Sequence, residues 1–287
     1  MKKGPLKESL MKAVFLASAL TSIVAVALIC LFLFTNGMSA IGKIGLSDFL
    51  LGKEWSPADT PPIFGILPMI MGSLYVTAGA TLIGVPMGIF TAVFMATVCP
   101  KSLYSVLKPA VDLLAGIPSI VYGFFGLVTI VPAVRSLFGG NGSSILSASV
   151  LLGLMILPTI ISITESAIRA VPSEMYDGAV ALGASHQRAV FYVLLPAARS
   201  GVLAAVVLGI GRAIGETMAV IMVAGNQGRM PVGILKGART LTANIVLEMG
   251  YAEGLHRDAL IATGVVLFVF ILLINLSFSA LRKSSTK

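Results

Sequence analysis

Long runs of apolar residues alternate with short polar segments along the chain, and this pattern predicts transmembrane helices. Residues 13–34 and 259–281 contain no charged side chain. Each run is long enough to cross a hydrocarbon core of about 30 Å as a helix. Four further spans are predicted between them, at residues 68–98, 109–134, 145–168 and 201–223. The pattern therefore predicts six transmembrane helices.

The composition agrees with this pattern. Hydrophobic residues make up 57% of the chain and charged residues 11%, against about 25% charged residues in soluble domains. We therefore expect an all-α integral membrane protein with no separate soluble domain. Three segments are predicted: 1–62, with a basic tail, the first transmembrane helix and an outer loop; 63–281, a core of five transmembrane helices with a cytoplasmic loop at 170–199; and 282–287, a cytoplasmic tail.

Positive charges decide the predicted orientation. When the N-terminus is placed in the cytoplasm, most Lys and Arg residues fall in inner segments, as the positive-inside rule requires. Both termini and loop 170–199 are therefore predicted to be cytoplasmic. The net charge of +8 is explained by attraction to anionic inner-leaflet lipid, so it calls for no nucleic-acid partner. Cys30 and Cys99 fall on opposite sides of the membrane, which excludes a disulfide between them.

A polar island between two apolar spans, residues 173–196, carries the most informative local pattern. Its first half has the spacing of a helix. Gly183 can end that helix in a left-handed conformation, and Ser185 can cap a second short helix that begins at His186. The island is therefore predicted to be a helix, a sharp bend and another helix.

The same island resembles the cytoplasmic coupling loop of bacterial ABC importer permeases. The resemblance rests on Asp177-Gly178-Ala179, then Gly183, then Val193 and Leu195-Pro196. Asp177 stands where that family usually has Glu. Gly178 replaces an Ala, which weakens the helix by about 1 kcal/mol. With the motifs LLAGIPSIVYGFFGL, GRAIGETMAV and RTLTANIVLEMGYAEGLHRDAL, the chain is similar over residues 66–281 to the PstC-type permease subunits of bacterial phosphate ABC importers.

The resemblance implies an ABC importer permease fold in the bacterial plasma (inner) membrane. It also implies three partners: a second permease (PstA-like), a dimeric ATPase (PstB-like) and an extracytoplasmic phosphate-binding protein (PstS-like). ATP would be used by the ATPase, because this chain contains no Gly-x-x-x-x-Gly-Lys-Ser/Thr loop. We expect a transport subunit that is not an enzyme and binds no cofactor. The candidate contacts with the ATPase are Asp177, Gly183, His186, Gln187 and Arg188.

Two charged residues of the fifth span are the main candidates for the substrate pathway. Arg212 and Glu216 fall near the middle of the span, where a charge costs about 2.5 to 3.5 kcal/mol on insertion scales. Since they are four residues apart, they are predicted to share a helical face. They either neutralise each other, or Arg212 meets an anion while Glu216 accepts a hydrogen bond from a protonated oxyanion such as phosphate. Sulfate carries no such proton and would be repelled.

Ser119 and Tyr122 add polar groups to the third span beside Pro118. They are further candidates for the pathway, although a plain proline kink explains the motif equally well. Glu165 and Arg169 are expected to form an ion pair at the inner interface rather than a gate. His186 and His256 fall on opposite sides of the membrane, so they cannot share a metal.

Other functions stay open at this point. The coupling loop would also suit a permease for molybdate, sulfate or phosphonate. A sensor or scaffold that does not transport is a further alternative, although the mid-membrane charge of Arg212 argues against it. An intramembrane hydrolase is disfavoured, because Asp112 is the only aspartate in a predicted span and neither histidine lies in one. The outer loop 229–258 could receive the binding protein, line an outer gate or simply be hydrated.

Overall fold

The structure is a computed structural model that describes residues 4–284, so the predicted tail at 282–287 lies partly outside the described residues. The chain is helical apart from one short hairpin, in which Trp55 pairs with Phe64. Its elements are α1 (Gly4–Ile44), α2 (Leu46–Leu51), β1 (Trp55–Ser56), β2 (Ile63–Phe64), α3 (Leu67–Thr97), α4 (Lys101–Gly116), α5 (Ser119–Phe125), a π-helical turn (Gly126–Ile130), α6 (Val131–Phe138), α7 (Ile145–Arg169), α8 (Ser173–Ala181), α9 (His186–Ala189), a second π-helical turn (Val190–Leu194), α10 (Leu195–Ala197), α11 (Arg199–Gly215), α12 (Met218–Val223), α13 (Leu241–Glu248) and α14 (Gly254–Ser284).

The predicted all-α membrane architecture is confirmed. Five helical stretches of the described chain are long and apolar enough to cross a membrane: Glu8–Ile44, Leu67–Thr97, Ser119–Phe138, Ile145–Arg169 and Gly254–Ser277. A bent pair, His186–Ala197 and Arg199–Gly215, meets at 70° and brings the number to six if it counts as one span. Within this pair, α11 lies in the predicted fifth span, while the segment before it belongs to the polar island.

Helix α7 forms the centre of the molecule and α1 its periphery. In their most apolar windows, 67% of the α7 residues are buried, against 0% for α1. Close contact between α3 and α7 depends on small residues. A Cβ on Gly84 would lie 2.7 Å from the Ile156 side chain, so only glycine allows this approach. Helix α1 packs on α14, where Phe34 meets Phe268 edge to face with 6.0 Å between ring centroids.

The third span differs from its predicted bounds of 109–134. Residues 101–116 form the separate helix α4, and the spanning stretch begins at Ser119. Helix α4 stops because Pro118 favours an extended conformation in the residue before it. Ile117 indeed has φ −68° and ψ 127°. The predicted span therefore joined the end of one helix to the start of another.

The fifth span, predicted as one helix over 201–223, is also divided. Helix α11 ends at Gly215, and α12 begins at Met218. Glu216 lies between them with φ −69° and ψ 132°, which is an extended conformation. This break places the charged motif at a helix end instead of within a continuous helix.

Candidate functional site: a broken helix and a cytoplasmic loop

The break between α11 and α12 changes the predicted relation of Arg212 to Glu216. The expectation that the two residues share a helical face is wrong, because Glu216 lies beyond the end of α11. No ion pair joins them in the part of the chain that the structure describes. Glu216 instead accepts hydrogen bonds at Oε1 from the backbone N–H of Thr217 (3.1 Å) and Ala219 (3.3 Å). Its carboxylate therefore satisfies amide donors at the start of α12, where a negative charge is favourable.

Arg212 carries the unpaired charge of this site. It lies half-buried in the last turn of α11, and among the described residues no side chain or carbonyl accepts a hydrogen bond from it. Burying a guanidinium with no partner is costly. The site therefore offers a cation whose interactions within this chain are incomplete.

Tyr122 belongs to the same buried cluster as Ala213 and Ala219, but it has a structural partner. Its hydroxyl donates a hydrogen bond to the Leu114 carbonyl at 2.9 Å. A tyrosine has one O–H donor, so in this conformation Tyr122 has none left for an anion. Tyr122 ties α5 to the last turn of α4 across the Pro118 break.

Ser119 begins the same helix and is half-buried. Within the described residues its hydroxyl has no hydrogen-bond partner, so its donor is available. Helix α5 itself packs closely on α12, since a Cβ on Gly123 would lie 3.0 Å from the Ala219 Cα. The structure thus brings Tyr122, Arg212 and Glu216 into one region, with Ser119 one turn away on α5.

The cytoplasmic loop has the predicted helix, bend and helix. Gly183 has φ +88°, the left-handed conformation that glycine adopts without strain. The Gly183 N–H donates to the Val180 carbonyl (2.9 Å) and the Ala184 N–H to the Ala179 carbonyl (3.0 Å), which is the Schellman pattern. The Ser185 hydroxyl accepts from the Arg188 N–H at 3.4 Å. Both local predictions are confirmed.

All five residues predicted to contact the ATPase lie on the surface of this loop. Asp177, Gly183, His186, Gln187 and Arg188 are exposed. His186 is oriented by Tyr176, whose hydroxyl lies 2.7 Å from Nδ1. Large apolar side chains accompany these residues, with Leu182 at 92% and Tyr192 at 79% exposure. Exposed apolar groups beside polar ones are typical of a surface that binds another protein.

At the inner end of α7, a buried carboxylate gathers several donors. Glu165 is 2% exposed, and its Oε1 accepts from the Tyr104 hydroxyl (2.6 Å) and from Arg169 Nε (2.8 Å). Lys108 Nζ lies 3.3 Å from Oε2. The predicted ion pair between Glu165 and Arg169 is confirmed. Sequence analysis missed Tyr104 and Lys108, which are four residues apart and therefore on one face of α4.

These neighbours fix the protonation states on α4. The hydrogen bond to Glu165, followed by burial and the Glu165 charge, raises the pKa of Tyr104. Burial by itself would lower the pKa of Lys108, but the nearby negative charges of Glu165 and Asp112 raise it overall. Tyr104 is therefore a neutral donor and Lys108 a cation at neutral pH.

A second buried carboxylate organises the outer loop. Glu248 accepts from Arg239 at Oε1 and from Trp55 Nε1 at Oε2 (2.8 Å), and His256 Nε2 lies 2.9 Å from the same Oε2. Arg239 also donates to the Asn244 side chain at 3.0 Å. The loop 229–258 is thus held to the hairpin of β1 and β2 by a polar cluster. Its role in receiving a binding protein stays open.

No three His, Cys, Asp or Glu side chains of the described chain come together in a way that could hold a metal ion. The two histidines belong to separate regions, His186 to the cytoplasmic loop and His256 to the outer cluster. In the described chain, the candidate chemistry lies in charged and hydrogen-bonding groups.

Comparison with known proteins supplies the family. Residues 84–286 match the model of "Binding-protein-dependent transport system inner membrane component". The chain belongs to this family. It is thus a multi-pass inner-membrane permease subunit of an ABC importer, and such subunits work with an ATPase and a binding protein. The permease fold predicted from the coupling loop is confirmed.

Relatives and structures of known proteins agree with this family. The chain is 41% identical to the probable ABC transporter permease protein YqgH of Bacillus subtilis (strain 168), over 90% of this chain and 87% of that protein. It is 34% identical to the phosphate transport system permease protein PstC of Mesorhizobium japonicum, over 96% and 89% of the two chains. A chain of a bacterial ABC transporter involved in alginate import has the same fold, with a TM-score of 0.66, 18% identity and coverage of 99% and 100%.

Proposed function

We propose that this permease subunit forms part of the translocation pathway for inorganic phosphate in an ATP-driven importer. The observation that carries the proposal is Arg212, a half-buried cation at a helix break that has no hydrogen-bond acceptor among the described residues. An anion in the pathway would supply the missing acceptors. The similarity to a protein named phosphate transport system permease protein PstC supports phosphate as that anion.

Glu216 supports the choice of a protonated oxyanion. Both of its hydrogen bonds from the described chain arrive at Oε1, so Oε2 is left to accept one more. Monohydrogen or dihydrogen phosphate can donate a proton there while its other oxygens meet Arg212. Sulfate has no proton to donate at neutral pH, so its charge would face the carboxylate without a compensating bond. Ser119 on α5, whose hydroxyl has no hydrogen-bond partner among the described residues, is a further candidate donor.

The proposal includes the partners and their division of work. A second permease of the PstA type would complete the pathway, and a binding protein of the PstS type would deliver phosphate from outside. A dimeric ATPase of the PstB type would bind the exposed surface of Asp177, Gly183, His186, Gln187 and Arg188. The chain has no Gly-x-x-x-x-Gly-Lys-Ser/Thr loop, so ATP hydrolysis by that route would be left to the ATPase; no cofactor is part of the proposal.

The test is radiolabelled phosphate uptake by cells that express the whole transporter, with wild type compared with Arg212→Gln. We expect uptake to fall at least about a hundredfold, since the variant loses a charge-assisted contact at a half-buried position. The control is Arg135→Gln, at an exposed position of α6, which should leave uptake unchanged. Membrane levels and complex assembly have to be equal in all three. Unchanged uptake in Arg212→Gln would refute the assigned pathway.

Substrate competition separates the remaining alternatives. Excess molybdate, sulfate or phosphonate should leave phosphate uptake unchanged if the pathway and its binding protein select phosphate. Strong competition by one of them would instead support a permease for that oxyanion. Wild-type cells that assemble the complex but take up none of these anions would support the sensor or scaffold alternative.

A further inference from the structure

The Glu165 cluster joins three separate elements at the inner side of the molecule. Glu165 and Arg169 belong to α7, and Tyr104 and Lys108 belong to α4. Arg169 reaches the third element, because its Nη2 donates to the Met95 carbonyl near the end of α3 at 2.9 Å. The Arg169 guanidinium also lies 4.7 Å from the Tyr104 ring centroid, within the range of a cation–π interaction.

One end of this cluster reaches the cytoplasmic loop. Arg169 is the last residue of α7, and α8 begins at Ser173. Arg169, Ser173, Tyr176 and His186 line one cavity of about 300 Å³. A displacement of the loop by a bound ATPase would therefore act directly on the residue that holds Glu165.

The other end reaches the region of Arg212. Helix α4 carries Tyr104 in its first turn, Lys108 near its middle and the Leu114 carbonyl in its last turn. That carbonyl accepts the hydrogen bond of Tyr122 on α5. Pro109 removes one backbone hydrogen bond inside α4, but the helix continues from Lys101 to Gly116, so a displacement at Tyr104 can reach its last turn. The contacts thus form a continuous series from the cytoplasmic loop to the helix beside Arg212.

The two oxygens of Glu165 are held unequally. Oε1 has two short hydrogen bonds, whereas Oε2 has only the 3.3 Å contact with Lys108, whose geometry is not that of a hydrogen bond. Lys108 also lies 3.4 Å from Asp112 and 3.3 Å from the Ser162 hydroxyl. Tyr104 and Arg169 therefore provide the firm connection between α4 and α7, and Lys108 a looser one.

We propose that Glu165 is a positioning residue that couples movement of the ATPase-bound loop to α4 and, through Tyr122, to the helix beside Arg212. The inference rests on the proposed function, in which an ATPase docks on that loop. It goes beyond that function because it assigns the mechanical connection inside the permease. Glu165 is 2% exposed, so we assign it to positioning and not to contact with the substrate or the ATPase.

The test measures phosphate uptake and ATP hydrolysis together in proteoliposomes that contain the whole transporter and its binding protein. In Glu165→Gln we expect phosphate moved per ATP hydrolysed to fall about two- to thirtyfold, which corresponds to coupling effects of about 0.5 to 2 kcal/mol. Tyr104→Phe, which keeps the ring and loses the hydroxyl, should lower the same ratio. The double variant should be no worse than the single ones, because both substitutions break one connection. The matched control is Glu253→Gln, at an exposed outer position.

Several outcomes would overturn the inference. An unchanged ratio in both single variants is one. This includes the case in which uptake and ATP hydrolysis fall in proportion, because that result indicates only a loss of folded complex. If Glu165→Gln fails to assemble, Tyr104→Phe decides the matter, since it removes a single hydroxyl.

A readout that needs no phosphate keeps this inference separate from the proposed function. Ser105 is exposed on α4, so a cysteine placed there, with Cys30 and Cys99 replaced by serine, reports the surroundings of α4 through its rate of maleimide labelling. Trapping the ATPase with a non-hydrolysable nucleotide should change this rate about threefold or more in the parent chain and much less in Glu165→Gln. An equal response in both chains, or no response in the parent, would refute the coupling role. Absence of phosphate uptake in wild type would refute the proposed function alone.

Discussion

Two Glu and Arg pairs in this protein have the same four-residue spacing, but the side chains of only one pair meet in the described structure. Glu165 and Arg169 lie within the continuous helix α7, and their side chains meet at 2.8 Å. Arg212 and Glu216 have the same spacing, but α11 ends between them. The first carboxylate accepts two short side-chain hydrogen bonds at Oε1, whereas the second accepts from backbone amides and forms no ion pair with its arginine among the described residues. Spacing of four residues predicts a pair only where the helix persists through both residues.

The difference separates stability from function. A buried carboxylate that accepts from two side chains holds helices together, so its removal leaves uncompensated donors. An arginine without a partner contributes no such contact and costs free energy to bury. Glu165 therefore contributes to the architecture, whereas Arg212 has no hydrogen-bond partner within the described chain.

The largest expected effect is a difference in the stability of the assembled transporter between Glu165→Ala and Arg212→Ala. Glu165→Ala should destabilise the permease by about 1 to 3 kcal/mol, the cost of leaving buried donors without their acceptor, because Arg169 and Lys108 are themselves partly exposed. Arg212→Ala should change stability by about 0.5 kcal/mol or less, as at sites without a specific partner. Thermal unfolding of the purified transporter in detergent measures both. Equal losses of Tm in the two variants would contradict the division between a structural and a functional pair.

A second prediction addresses the free oxygen of Glu216. Glu216→Gln keeps a carbonyl oxygen to cap α12 but removes the negative charge. Repulsion of sulfate should then weaken, so the ratio of phosphate to sulfate uptake is expected to fall about tenfold, equivalent to about 1.4 kcal/mol. Competition between labelled phosphate and unlabelled sulfate is the measurement. The control is Glu253→Gln. An unchanged ratio of phosphate to sulfate uptake in Glu216→Gln would rule out a role of Glu216 in selectivity.

Local sequence signals predicted much of the fold and of the cytoplasmic loop. Uncharged runs located the spans, and Gly183 and Ser185 marked the bend, because a left-handed glycine and a helix cap are decided by residues within one turn. The end of α11 escaped prediction, since residues 212–220 keep the composition of a membrane helix. The extended conformation of Glu216, with its cap on α12, could have been suspected from a carboxylate two residues before an apolar helical run.

The two buried clusters could not be predicted from local patterns. Tyr104 and Glu165 are 61 residues apart, and Trp55 and Glu248 are 193 apart. Such contacts depend on how whole helices pack, and one sequence contains no direct signal for them. The contacts of Glu165 with Tyr104 and Lys108 are visible only in the structure, where α4 is a helix separate from the third span.

The smallest expected effect concerns Tyr122 and decides whether it is a structural residue, like Glu165, or a pathway residue, like Arg212. Tyr122→Phe removes the hydrogen bond to the Leu114 carbonyl, worth about 1 kcal/mol. If Tyr122 connects α4 to α5, as the structure indicates, maximal uptake should fall about two- to fivefold while the phosphate KM stays the same. Tyr251→Phe, at an exposed position, is the control. If the hydroxyl contacts phosphate directly, Tyr122→Phe would raise the phosphate KM instead. Tyr122 would then be a pathway residue like Arg212, and its hydroxyl would leave Leu114 during transport.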